Sequence, residues 1–212
     1  RGMSLTPEGK KLLSYSEQIL ALKEEMTRAV QVHQEPSGKL EIGTIESVTH
    51  LPQILTHYVN RYKQVDLSIF TSVTETLIHQ VLDYQLDGAF ITKSVLPPEL
   101  IAHDVFHEEL VLISHPDILS LDEVIEQPIL CFSQGCGYRA RLAEWYKDQR
   151  ITPQKIMEFG TLETILRSTI MGLGIAFVPK SEVVQLEKDK LIHIHKLPEQ
   201  YSHIKTVFIR RA

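Results

Sequence analysis

Residues 40–91 contain LEIGTI (40–45), LPQILTHYVNRY (51–62), DLSIFT (66–71), TETLIHQVLDYQ (74–85) and DGAFI (87–91), joined by short polar turns. The first segment alternates like a strand. In the second, Leu51, Ile54, Leu55, Tyr58, Val59 and Tyr62 keep helical spacing, and Pro52 sits early, where a helix tolerates it. The third is again a strand. The fourth is a helix with Leu77, Val81 and Leu82 inward, and the fifth is a strand. The order βαβαβ predicts a parallel sheet covered by helices, and so an α/β fold.

A second α/β set follows. Residues 100–114 read as two extended stretches around the polar His107-Glu108-Glu109, and His115-Pro116 breaks the run. Residues 121–126 predict a short helix and 128–132 a strand. A helix over 138–149 places Tyr138, Leu142, Trp145 and Tyr146 on one face, and 155–159 is a strand. Leu162, Ile165, Leu166, Thr169 and Ile170 mark another helix, stopped by Gly172-Leu173-Gly174 before a buried strand at 175–179. Late strands at 191–197 and 204–210 can rejoin the first half. Two α/β halves make two lobes with a cleft. In open α/β sheets ligands sit outside the carboxyl ends of strands, at helix N-termini.

In front stands one long helix. Thr6-Pro7-Glu8 supplies an N-cap, a proline at the first helical position and an early acid, and residues 34–38 close the helix. Leu12, Ile19 and Met26 are seven apart, and Tyr15, Leu22 and Ala29 follow each by three. That is an a/d seam of about three heptads, which calls for a second chain. The chain starts at Arg1 rather than Met, so a further module is expected ahead of the helix.

The composition is that of an ordinary globular protein: 212 residues, 43% hydrophobic, 23% charged, net charge -5. The acidic balance argues against a nucleic-acid surface within these residues. No apolar run approaches the roughly 18 residues of a membrane span, and no signal-peptide pattern opens the chain, so a cytoplasmic setting is expected. Two cysteines do not make a disulfide scaffold.

Four motifs, in order along the whole chain, carry a resemblance. They are Ser4-Leu5-Thr6-Pro7-Glu8-Gly9, then Leu40-Glu41-Ile42-Gly43 with Leu51-Pro52, then Leu86-Asp87-Gly88-Ala89-Phe90, and Gly172-Leu173-Gly174-Ile175-Ala176-Phe177-Val178-Pro179. The chain resembles a LysR-type transcriptional regulator, from its linker helix through its effector-binding domain. The resemblance implies a two-lobed, periplasmic-binding-protein-like (type II) effector domain that takes a small molecule between its lobes. It also implies bacterial cytoplasm, a homodimer or homotetramer, promoter DNA as partner through a missing N-terminal winged helix-turn-helix, and no cofactor. The expected division is a dimerisation helix at 1–35, lobe I at 36–113 and 190–212, and lobe II at 114–189. The family usually ends in a further helix, whereas this chain stops at Arg210-Arg211-Ala212.

The βα turns place the expected effector site. Ser47 and Thr49 precede the first helix of lobe I; Ser72 and Thr74 begin the second. Ser133, Gln134, Gly135 and Cys136 precede a lobe II helix, Gly160, Thr161 and Thr164 open another, and Phe132 offers an apolar wall. Hydroxyls and backbone N–H groups there suit a carboxylate or phosphate, although Ser and Thr at helix starts are also ordinary caps. Motif positions single out Ser47 and Thr74. Arg139 either turns inward or lies on a solvated helix side.

Cys131 and Cys136 are five apart at a strand end and a helix start, a place that favours a thiolate, so a thiol-based redox sensor of the same family is one alternative. A solute-binding protein with the same lobes is another, against which the heptad argues. The histidines offer no closed zinc set, and no hydrolase, phosphate-loop or dinucleotide motif appears, so no enzyme is expected. Glu108 and Glu109 are adjacent on a strand and face opposite ways.

Overall fold

The computed structural model describes residues 4–30, 35–46, 48, 50–92 and 95–212. The front helix α1 (Pro7–Val30) begins where Thr6 Oγ1 accepts a hydrogen bond from the Gly9 N–H at 3.1 Å. Along it Leu12, Tyr15, Ile19, Leu22 and Met26 are all more than half exposed. The predicted seam is thus an unburied apolar stripe. Of Ala29 only its place in the helix is described.

Lobe I follows the βαβαβ order: β1 (Gly38–Thr44), α2 (Leu51–Arg61), β2 (Val65–Thr71), α3 (Thr74–Leu82) and β3 (Gly88–Ile91). β1 pairs in parallel with both β2 and β3. Leu77, Val81, Ala89 and Ile91 are fully shielded from water. Burying each of Leu77, Val81 and Ile91 contributes roughly 1.5–3 kcal/mol.

The long strand β4 (Leu100–Ser114) joins the lobes. Its residues 100–109 pair antiparallel with β9 (His203–Arg211), with a bulge between Asp104 and Phe106. Its residues 110–113 pair with β7 (Ile175–Pro179) and 112–114 with β8 (His193–His195). The two extended stretches expected here are therefore one strand. It continues through His107-Glu108-Glu109 because Glu108 turns inward and Glu109 finds a lysine, as described below.

Lobe II adds α4 (Leu121–Ile125), β5 (Ile129–Cys131), α5 (Gly137–Asp148), β6 (Ile156–Glu158) and α6 (Leu162–Ile170). A capping box holds α4: Ser120 Oγ accepts from the Glu123 N–H, and the Glu123 carboxylate accepts from the Ser120 N–H. A 3-10 turn (Lys180–Glu182), α7 (Val184–Lys188) and α8 (Glu199–Ser202) complete it. They are too short to leave a periodic pattern, so the sequence reading passed over them.

Two hydrophobic cores result. One gathers Ile42, Leu77, Ile78, Phe90, Leu100 and Ile209. The other gathers Leu110–Ile113, Leu130, Tyr138, Tyr146, Ile165 and Ile175, together with Ile192, Leu197, Tyr201 and Ile204. The cores thus divide within β4 between Glu109 and Leu110, and the return to lobe I comes along β9. The expected lobe I had taken in 110–113 and everything from 190 onward; those apolar residues down to Ile204 lie in the second core.

Candidate functional site

Between the lobes lies a cavity of about 130 Å³ lined by Ile45, Glu46, Ser72, Val73, Phe132, Ser133, Gly135 and Cys136. Parallel pairing delivers its lobe I wall: Thr44 and Thr71 end β1 and β2 side by side, and the Ser72 N–H donates to Thr44 O at 3.0 Å. Its lobe II wall is the turn from β5 into α5. Gly135 has φ +100°, and a Cβ built on it would stand 3.2 Å from Val73 Cβ, so the lobes meet here backbone to side chain. A Cβ on Gly137 would collide with Thr92 and with Ile204. Glycine at both positions lets α5 approach lobe I closely.

Two helices begin at this cavity from opposite lobes. The N-cap residues are Val73 for α3 and Cys136 for α5, and neither side chain caps its helix. By contrast, Thr161 Oγ1 accepts the Thr164 N–H at 3.3 Å and caps α6. Uncapped N-termini present backbone donors and the positive end of the helix dipole to whatever occupies the cavity. Among the described residues lining it, none is basic.

The structure brings Ser72, Phe132, Ser133, Gly135 and Cys136 together around the cavity. Thr74 follows Val73 of its wall; it is 6% exposed, and its Oγ1 is buried without a hydrogen-bond partner among the described residues. Gln134 is exposed beside the cavity and does not line it. Gly160, Thr161 and Thr164 sit beyond β6 at the sheet edge, apart from the cavity, with Thr161 engaged as a cap. Ser47 and Thr49 lie outside the described residues. The sequence reading missed Ile45, Glu46 and Val73. Their signal was position alone, since each ends a strand or opens a helix beside a chosen hydroxyl.

Arg139 does not serve as a cation for this cavity. Its Nη1 donates to Glu158 at 2.5 Å and to Phe132 O at 3.3 Å, tying α5 to the ends of β5 and β6. Cys131 is buried, and burial above all pushes its thiol up from the usual range. Neither cysteine is in a disulfide. His193 and His195 do share a strand face, their ring centroids 4.6 Å apart. His195 is buried with Nε2 2.8 Å from Ser114 Oγ.

Residues 33–212 match the LysR substrate binding domain. The chain is 51% identical over 212 residues to the HTH-type transcriptional regulator SoxR of Arthrobacter sp. (strain TE1826), covering all of this chain and 73% of that protein. It is 44% identical over 216 residues to the HTH-type transcriptional regulator GltR of Bacillus subtilis (strain 168), again covering 73% of it. Among solved structures, a full-length OxyR variant from Pseudomonas aeruginosa superposes with TM-score 0.73 at 18% identity, over 99% of this chain and 73% of that one. The effector-binding domain of QuiR in complex with shikimate superposes with TM-score 0.68 at 15% identity, over 83% of this chain and 88% of that one. The architecture is the two-lobed, periplasmic-binding-protein-like one shared by these regulators. With the family's domain model spanning both lobes and half the residues identical to a regulator over the full chain, the protein belongs to the LysR family of transcriptional regulators and carries its effector-binding domain.

Proposed function

We propose that the cavity between α3 and α5 binds the small effector that gates this regulator. One observation carries the reading: two uncapped helix N-termini, one from each lobe, open on the same cavity. A carboxylate or a similarly small polar group fits there, hydrogen-bonded by backbone N–H groups and by the hydroxyls of Ser72 and Ser133. Phe132, Val73 and Ile45 supply the apolar remainder. Glu46 is exposed and sits at the wall, so a compact acid suits the cavity better than a polyanion. The cavity is smaller than the roughly 300–1,000 Å³ of drug-sized sites. The effector therefore has few heavy atoms, or the lobes part to admit it.

An effector touching both lobes favours the lobe arrangement that it binds better. That change reaches promoter DNA through α1 and a module preceding it. The exposed stripe Leu12, Tyr15, Ile19, Leu22 and Met26 forms the seam of a homodimer. A second contact, leading to a tetramer, is supported by the sheet edge at β2, where Ile69 and Phe70 are exposed. A solute-binding protein would have no use for such a stripe. The setting proposed is cytoplasmic.

Thermal unfolding across a panel of small carboxylates, phosphorylated metabolites and neutral polyols tests the reading. A ligand at a hundred times its Kd adds about 2.7 kcal/mol, which shifts the midpoint of a chain this size by roughly 5–10 °C. Shifts confined to small acids support the assignment. Shifts only with bulky or cationic compounds contradict it.

A further inference from the structure

A second cavity, of about 280 Å³, shares no lining residue with the first. Its walls include His50, His107, Glu108, Glu109, Lys180 and Ser181. They come from both lobes: the start of α2, the crossing strand β4 and the 3-10 turn after β7. The Glu108 side chain is only 6% exposed. Its Oε2 accepts a hydrogen bond from Tyr138 Oη at 3.2 Å. Its Oε1 is buried with no hydrogen-bond donor among the described residues, and His50 Nε2 stands 4.0 Å away.

A buried carboxylate oxygen without a donor is costly, and the cost is recovered when a donor arrives. The cavity's charges favour a cationic one. Glu108, Glu109 and the neighbouring Glu182 face a single ammonium, Lys180, and that ammonium is engaged by Glu109 Oε2 at 2.7 Å. His107 is turned to Asp104, 3.5 Å away. Burial, more than the Tyr138 hydrogen bond and the His50 ring can offset, raises the Glu108 carboxyl from its ordinary value.

We infer that this cavity is a second ligand site, taking a small molecule with a protonated amine whose N–H donates to Glu108 Oε1. Because His50 and Tyr138 reach Glu108 from opposite lobes, an occupant biases their closure independently of the first cavity.

The test titrates the whole chain with methylammonium and ethanolammonium chloride and follows thermal unfolding. Tetramethylammonium chloride serves as a control of equal charge with no N–H. The two donors raise the midpoint and the control does not. Glu108→Gln keeps the shape and an acceptor for Tyr138, and it weakens the response about tenfold or more, the loss expected for one charge-assisted hydrogen bond. An equal response to methylammonium and tetramethylammonium overturns the inference, as does an unchanged response in Glu108→Gln. Should that variant not fold, amide shift changes in the unmodified protein decide: methylammonium perturbs Glu108 and Lys180, and changes confined to other regions overturn the inference.

Discussion

Gly135 of lobe II lies against Val73 of lobe I, so close that a Cβ on the glycine would stand 3.2 Å from Val73 Cβ. The glycine's φ of +100° is one that L side chains rarely adopt. Gly135→Ala therefore both strains the turn and props the lobes apart. A loss of about 1–3 kcal/mol in unfolding free energy is expected, along with weaker effector binding. Gly160→Ala is the contrast: its Cβ would meet nothing within 4 Å, so denaturant midpoints of that variant stay close to the parent's.

His195 predicts how stability depends on pH. His195 Nε2 lies 2.8 Å from Ser114 Oγ, whose hydroxyl has the His115 and Ile118 carbonyls 3.0 Å away. Burial first, and His193 second, lower the imidazole from 6.5 to about 4. Between these values the unfolded chain binds a proton that the folded one refuses. The contribution is fully present above pH 6.5 and is lost as pH falls toward 4. By pH 5 about 2 kcal/mol of it is gone. Urea unfolding at neutral and acid pH measures it, and His195→Gln flattens that segment of the curve. An equal slope in the variant contradicts the assignment.

Most of the architecture was legible because the strands and helices of lobe I have clean, distinct periods, and because Gly172-Leu173-Gly174 punctuates lobe II before β7. The site was legible only in part. Ser72 and Ser133 could be placed from the βα turns, but a hydroxyl at a helix start looks the same whether it caps or faces a ligand, and Thr161 proved to be a cap. The crossing strand was harder still. Nothing in the run His107-Glu108-Glu109 reveals that Glu108 turns toward Tyr138, thirty residues on. That is a tertiary contact without local pattern.

The α1 stripe predicts the assembly state. Ile19 is 67% exposed, so Ile19→Glu costs this fold little by itself but places a charge in the seam. Sedimentation at micromolar concentration should show a dimer or larger for the parent and a lighter species for the variant. A monomeric parent removes the seam from the account.

The thiols separate metabolite gating from redox sensing. Cys136 lines the cavity and reacts with a thiol reagent in the folded protein. Cys131 is 7% exposed with its thiol pushed up, and it reacts only on unfolding. Peptide mapping after brief labelling distinguishes them. Rapid formation of a Cys131–Cys136 disulfide with dilute peroxide would instead favour the redox sensor.

Gating requires that one effector touch both lobes at once. Isothermal titration of the acid selected by thermal unfolding, against Ser72→Ala and Ser133→Ala, tests it most directly. Each substitution removes one hydroxyl, from lobe I and lobe II respectively, and each should weaken binding by about five- to tenfold. Loss in both variants is the predicted result. Binding that is unchanged in Ser133→Ala and weakened only in Ser72→Ala would place the effector on lobe I alone and contradict the gating mechanism.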